Sequence, residues 1–344
     1  MNVQELERTA QAMVAEGRGL LAMDESAPTA AKRLKAVGVE NTTENRRSYR
    51  ELLLGTSGLG EYISGAILHD ETIRQKATDG TPFPQLAERN GIIPGIKVDT
   101  GAKLLAGHPD EKITEGLDGL RERLQEYRTL GARFCKWRAV ITIGPNIPSR
   151  TCIEANAHAL ARYAALCQEA GMVPIVEPEV LIDGDHTLER CYEVTLETQH
   201  TVFEQLYRQG IHFPGMVLKP SMVIAGKQCP KRIAPEEVAE WTIRCLRNTV
   251  PASVPGIAFL SGGQSDEEAT IHLNAMNVLA RTLRLPWRLT FSYARALQNQ
   301  VLEKWAGNPA NVDAARQVLL HRARCNSAAS RGEYNPKMEH EKAA

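Results

Sequence analysis

A repeated alternation limits how this chain can fold more than any other feature does. Short apolar runs with strand character occur at 20–23, 65–68, 92–96, 133–135, 172–176, 215–218, 256–260 and 288–291. Longer segments separate them, and those at 155–170, 188–209 and 235–246 carry apolar residues at i, i+3 and i+4, the period of an amphipathic helix. Strands alternating with helices build βαβ units and a parallel sheet. Eight such units over 344 residues predict an α/β fold, a (β/α)8 barrel of the TIM type, with residues 1–344 forming one domain. An open doubly wound sheet is the rival, but its glycine-rich first turn is missing. Gly55-x-x-Gly58-x-Gly60 is too loose for that role and reads as a surface loop. The spacing of Leu6, Ala10, Met13 and Val14 predicts an N-terminal helix over 2–16, and a flexible tail is expected over 333–344.

Nearly every apolar run ends in polar or ionisable residues. Asp24 follows the first, Lys97 and Asp99 the third, Lys136 and Arg138 the fourth, Glu177 and Glu179 the fifth, and Lys219 the sixth. Ser261, Gly262 and Gly263 follow the seventh, Ser292 and Arg295 the eighth. A (β/α)8 barrel builds its active site at those C-terminal strand ends. Lys97/Asp99, Lys136/Arg138 and Glu177/Glu179 are each two residues apart, so each pair shares a face of its strand. If that face is the barrel interior, cations and carboxylates from neighbouring strands meet in a confined space. Salt bridges that merely close the barrel mouth are the other reading, and for Asp99 and Glu179 both stay open.

Composition narrows the partners. Forty-one basic and forty-one acidic residues cancel, so a polyanion such as nucleic acid is not expected, and any phosphate met is a small one. No stretch approaches the roughly 18 apolar residues that span a bilayer, and the opening helix lacks the pattern of a secretory signal. A cytoplasmic protein without a membrane partner is expected. The seven cysteines are scattered without a C-x-x-C pair, and the nine histidines form no H-E-x-x-H or H-x-x-x-H pair. Neither a disulfide framework nor a metal site is expected, and no cofactor.

Lys219 sits in Met216-Val217-Leu218-Lys219-Pro220, at the end of an apolar run. It either snorkels to the surface or points inward. An inward lysine near Lys136 would be pushed toward its neutral form by desolvation and like charge, giving an amine able to attack a ketone carbonyl. Glu177 could then shuttle protons for carbinolamine dehydration, and Asp24 could take the proton of a substrate hydroxyl while a C–C bond breaks. In the seventh unit, Ser261-Gly262-Gly263-Gln264-Ser265 leads into a helix beginning near Asp266, where backbone N–H groups can approach a phosphate. Arg295 can add a charge-assisted fork. At the opposite rim Ser26, Lys32 and Arg33 could hold a second phosphate, or the two cations could simply face solvent.

At these residues the chain resembles the class I fructose-1,6-bisphosphate aldolases. The segments are Leu21-Ala22-Met23-Asp24-Glu25-Ser26, Asn45-Arg46-Arg47 with Tyr49-Arg50, Gly95-Ile96-Lys97-Val98-Asp99 and Lys136-Trp137-Arg138. They continue through Val176-Glu177-Pro178-Glu179, Asp183-Gly184-Asp185-His186, Leu218-Lys219-Pro220, Leu260-Ser261-Gly262-Gly263-Gln264 and Thr290-Phe291-Ser292-Tyr293. The resemblance implies a lyase that cleaves fructose 1,6-bisphosphate reversibly to dihydroxyacetone phosphate and glyceraldehyde 3-phosphate, in glycolysis and gluconeogenesis, without metal. It implies a Schiff base on Lys219, acid/base work by Glu177, assistance from Lys136 and action of Asp24 on the C4 hydroxyl, with Glu179 a further catalytic candidate beside them. Ser261, Gly262, Gly263, Ser292 and Arg295 would hold the C1 phosphate. Lys97, Arg138 and Arg33, with Ser26, would lie toward the C6 phosphate. The family is usually homotetrameric.

Three departures qualify that expectation. Ala294 stands where the family pattern has glycine, and alanine resists a positive φ, so phosphate contact there could change. Ala27-Pro28-Thr29 replaces the Thr-Gly-Ser run of animal members, and Pro28 would stiffen that loop and remove a donor. The sequence ends Glu341-Lys342-Ala343-Ala344, without the terminal tyrosine that animal members use in proton exchange at C3. Two rival functions are an aldolase that prefers sedoheptulose 1,7-bisphosphate and a non-catalytic scaffold on the same fold. The joint presence of Asp24, Lys136, Glu177 and Lys219 disfavours the scaffold.

Overall fold

The structure is a computed structural model and describes residues 2–341. The eight apolar runs form the strands β1 (Gly19–Ala22), β2 (Ile63–Leu68), β3 (Ile93–Lys97), β4 (Phe134–Ile141), β5 (Val173–Val180), β6 (Val217–Leu218), β7 (Gly256–Phe259) and β8 (Arg288–Tyr293). Each pairs in parallel with its sequence neighbours, and β8 returns to β1 with Leu20 opposite Ser292, closing an eight-stranded barrel. Helices follow the strands as the alternation predicts, and a hairpin of Gly101–Leu104 and Lys112–Glu115 is inserted after β3.

Strands β4 and β5 run well past their apolar sequences, to Ile141 and Val180. The reason is the period of two. Cys135, Trp137 and Ala139 point out into the layer between barrel and helices, where the Trp137 ring lies 5.5 Å from that of Tyr163. Phe134, Lys136 and Arg138 alternate with them and face the interior. A strand with one ionic face therefore looks too polar to continue when only apolar runs are counted.

At the N-terminal end, the interior is apolar. Leu20, Ile67, Phe134, Val173, Ile175, Val217 and Ala258 converge there and meet Leu6, Ala10, Met13 and Val14 of the helix Val3–Met13 and its C-cap. Asn2 caps that helix by accepting from the Glu5 N–H at 3.2 Å. The Phe134 ring fills the barrel so closely that a methyl group on Gly95 would lie 2.2 Å from it, which is why that strand position is glycine. Burying each large side chain here contributes about 1.5–3 kcal/mol.

The final α-helix, Val312–Ser330, is tied to the helix Asp266–Leu283 through a wholly buried Arg322. Its guanidinium pairs with Glu339 and donates to the Asp266 carbonyl at 3.1 Å and to Thr270 Oγ1 at 2.7 Å. Tyr334 donates its hydroxyl to Glu339 at 2.9 Å. Residues 333–341 of the expected tail thus contact the body of the protein, and 342–344 lie outside the described residues. Among the described residues, no helix is long and apolar enough to cross a membrane.

Candidate active site

A cavity of about 570 Å³ opens at the C-terminal ends of the strands. It is lined by Asp24, Ser26, Arg33, Lys97, Lys136, Arg138, Glu177, Glu179, Lys219, Ser261, Gly262, Ser292 and Arg295, so these sequence candidates converge on one place, while Gly263, next in the chain to Gly262, is not part of the lining. Its wall carries seven cationic side chains (Lys32, Arg33, Lys97, Lys136, Arg138, Lys219, Arg295) and five carboxylates (Asp24, Glu25, Asp99, Glu177, Glu179). A chain with no net charge has thus gathered a local cationic excess, as a small polyanionic ligand requires.

Lys219 points inward. It is 4% exposed, and its Nζ lies 3.1 Å from Glu177 Oε1. The parallel pairing of β6 with β5 sets that approach, since the Lys219 N–H donates to the Val176 carbonyl at 2.8 Å and puts the lysine beside the strand that carries Glu177. Lys136, 3% exposed, lies 2.7 Å from Asp24 Oδ2 and 3.3 Å from Glu177 Oε2. The latter contact lacks hydrogen-bonding geometry, so this Glu177 oxygen is buried without a hydrogen-bond partner among the described residues.

Asp24 and Lys136 hold each other ionised. Burial acts to strip Lys136 of its proton, but Asp24 and Glu177 outweigh it and raise its pKa, so it stays an ammonium. Burial likewise acts to raise the Asp24 pKa, yet Lys136 and then Lys219 override it and bring it down to about 2. Asp24 is therefore a carboxylate at any ordinary pH.

Around this centre Lys97 pairs with Asp99 at 2.6 Å, and Arg138 pairs with Glu179. Asp99 also accepts from the N–H groups of Gly101 at 3.1 Å and Arg138 at 3.2 Å, tying the hairpin to the cavity wall. Both carboxylates form the mouth salt bridges that the sequence left open while still facing the cavity. Ser292 has a buried hydroxyl with no partner among the described residues, so a ligand could complete its hydrogen bonding.

Two expected disturbances at the phosphate positions are corrected by the backbone. Ala294 has φ −100, outside the left-handed region, and caps the helix Arg295–Trp305, so alanine fits there without strain. Pro28 lies not in a loop but in the first turn of the helix Ala27–Ala36, where an N–H has no intrahelical acceptor to lose. Ser26 is the N-cap of that helix, and its hydroxyl does not cap it. The left-handed turn falls instead on Gly262 (φ 57) and Gly263 (φ 87), which the sequence does supply. Tyr334 spends its hydroxyl on Glu339 and does not line the cavity.

Some participants were given no role by the sequence. Glu25 pairs with Arg33, and Gln298 bridges Arg33 Nη1 at 3.4 Å to the Ala22 carbonyl at 2.6 Å. Lys227, in the loop beyond β6, reaches the Gly263 turn. Gln298 and Lys227 belong to a helix and a loop whose relation to the strand ends exists only in three dimensions.

Comparison with known proteins agrees with this geometry. The family model described as fructose-bisphosphate aldolase class-I matches residues 5–344. A probable fructose-bisphosphate aldolase class 1 of Xanthomonas campestris pv. campestris is 60% identical over 335 residues, 97% of this chain and 99% of that one. The fructose-bisphosphate aldolase of Dictyostelium discoideum is 51% identical over 333 residues, 96% and 92% of the two chains. Among solved structures, the fructose-bisphosphate aldolase of Plasmodium falciparum, in complex with TRAP and a small molecule inhibitor, superposes with a TM-score of 0.95 at 50% identity, covering 97% of this chain and 96% of that one. With a closed (β/α)8 barrel, a buried lysine–glutamate–lysine–aspartate centre and full-length similarity, the chain belongs to the class I fructose-bisphosphate aldolases.

Proposed function

We propose that this chain cleaves fructose 1,6-bisphosphate reversibly into dihydroxyacetone phosphate and glyceraldehyde 3-phosphate through an imine on Lys219. The observation that carries the reading is Glu177 set between the two buried lysines, 3.1 Å from Lys219 and 3.3 Å from Lys136. Proton transfer from Lys219 to Glu177 frees the amine to attack the C2 carbonyl. Glu177 then returns a proton to the carbinolamine hydroxyl, which leaves as water and gives a protonated imine. Lys136 supplies a fixed positive charge beside the oxygen that develops negative charge. Asp24, already ionised, takes the C4 hydroxyl proton. The C3–C4 bond breaks, its electrons pass into the imine to form an enamine, and the aldehyde departs. Protonation at C3 and hydrolysis of the imine complete the cycle.

The phosphates suit the two rims. Ser261, Gly262, Gly263, Ser292 and Arg295 take the C1 phosphate, and Ser26, Arg33, Lys97 and Arg138 face the C6 phosphate. In that role Glu179 and Asp99 hold Arg138 and Lys97 rather than touch the reacting bond. The reading carries with it a cytoplasmic enzyme of glycolysis and gluconeogenesis that works as a homotetramer. A product assay tests it. Fructose 1,6-bisphosphate should yield the two triose phosphates in equal amounts, and Lys219→Met should yield neither. Cleavage that persisted in Lys219→Met would remove the imine from the pathway.

A further inference from the structure

Beyond the strand-end residues, one lysine is set against the glycine turn that follows β7. Lys227 lies eight residues past Lys219 in the loop that leaves β6. A methyl group on Gly263 would lie 2.7 Å from its Nζ, 3.2 Å from its Cε and 3.2 Å from an Arg295 guanidinium nitrogen. An ammonium and a guanidinium therefore close over the same glycine of the Ser261-Gly262-Gly263 turn. An anion seated on that turn would be held from two sides. Among the described residues, the carboxylate that reaches Lys227 is Asp183 at 3.7 Å, which is 68% exposed, and no carboxylate reaches Arg295. An exposed pair of that length stabilises little.

The loop beneath Lys227 is not loose. Its N–H donates to the Ile182 carbonyl at 2.9 Å, the Gly226 N–H to the His186 carbonyl at 2.9 Å, and the Gln228 N–H to the Gly184 carbonyl at 2.9 Å. The Gly184 N–H donates in return to the Gln228 side chain at 2.7 Å. Gly226 passes so near Gly184 that a methyl group on it would lie 2.3 Å from the Gly184 oxygen. The loops after β5 and β6 are thus joined main chain to main chain, and Lys227 projects from that rigid seam toward the Gly263 turn. Holding two cations together at fixed backbone is the preorganisation a dianionic group requires.

We infer that Lys227 is a further binding residue for the phosphate of the three-carbon ketone half of the substrate, closing with Arg295 on the oxygens that the Gly262–Gly263 turn receives. The inference rests on the imine reading above and adds a residue to it. Lys227 contacts phosphate alone and has no part in the bond changes at C2, C3 or C4. It acts on the affinity for phosphorylated ketone and leaves the chemistry of the bound complex alone.

Lys227→Met tests this, with Lys227→Arg as the conservative control. Removing a charge-assisted contact of this kind should raise KM for fructose 1,6-bisphosphate and for fructose 1-phosphate by roughly tenfold in each case, with kcat nearly kept. Lys227→Arg should restore most of the loss. Borohydride trapping with dihydroxyacetone phosphate should need a correspondingly higher ketone concentration for half-saturation in Lys227→Met, whereas trapping with unphosphorylated dihydroxyacetone should be unchanged. Unaltered KM values, or an equal loss toward unphosphorylated dihydroxyacetone, would overturn the assignment, the second by showing a general distortion. Failure of the parent protein to trap either ketone would overturn the imine reading instead, so the two failures are distinct.

Discussion

At the N-terminal end of the barrel, Leu20, Phe134, Ile175 and Val217 fill the interior and meet the helix Val3–Met13. Two to four residues farther along the same strands, Asp24, Lys136, Glu177 and Lys219 face the same axis and line an open cavity. The backbone rhythm is one and the same, so the difference lies wholly in side-chain chemistry. The apolar end gains free energy by excluding water, and its contacts are non-directional. The ionic end takes charges out of water, which is tolerable only because each has an opposite partner within about 3 Å. One end stabilises the barrel and the other uses that stability to hold charges where water would disperse them.

Variants at the two ends should therefore fail in opposite ways. The largest effect belongs to Lys219→Met, expected to cut turnover by about 10⁴-fold or more while leaving a folded protein by circular dichroism. Phe134→Ala should do the reverse. It opens a cavity worth about 3–5 kcal/mol of stability by chemical denaturation, with kcat/KM per folded molecule within about twofold of the parent. A Phe134 variant that kept its stability but lost turnover would break the comparison. Glu177→Gln should come next, slowing imine formation by about 10²-fold in single-turnover trapping, since an amide cannot relay the proton.

How much of this division was legible before the structure follows from the same rhythm. Each strand core and each strand-end charge stood in the sequence, because alternation writes the inward face at every second residue. The lengths of β4 and β5 did not, since Lys136, Arg138, Glu177 and Glu179 look like strand-ending polarity until the interior is known to be ionic. The conformations at Ala294 and Pro28 were misread for a related reason. Both belong to helix starts, and a helix boundary shifts the backbone demand on a residue by one position. Gln298 and Lys227 were invisible because their partners are brought to them by the closure of the barrel.

The smallest expected effect is on acid stability and sharpens the ionic half of the comparison. Asp24 has its pKa lowered to about 2 in the folded protein from an ordinary 3.8, so the unfolded chain binds this proton first as pH falls. Its contribution, about 2 kcal/mol, is present above pH 4 and lost as pH drops toward 2. In Asp24→Asn the denaturation free energy should already be lower at pH 7, and that part of the acid limb should flatten. An unchanged limb would show that Asp24 is not held by Lys136 and Lys219.

Borohydride reduction with dihydroxyacetone phosphate, followed by peptide mapping, tests the lysine centre most directly. Because Lys219 and Lys136 are both buried beside Glu177, the map must choose between them. A single stable adduct on Lys219, absent from Lys219→Met and slowed in Glu177→Gln, is the result this geometry predicts. An adduct on Lys136, or none on either lysine, would contradict it.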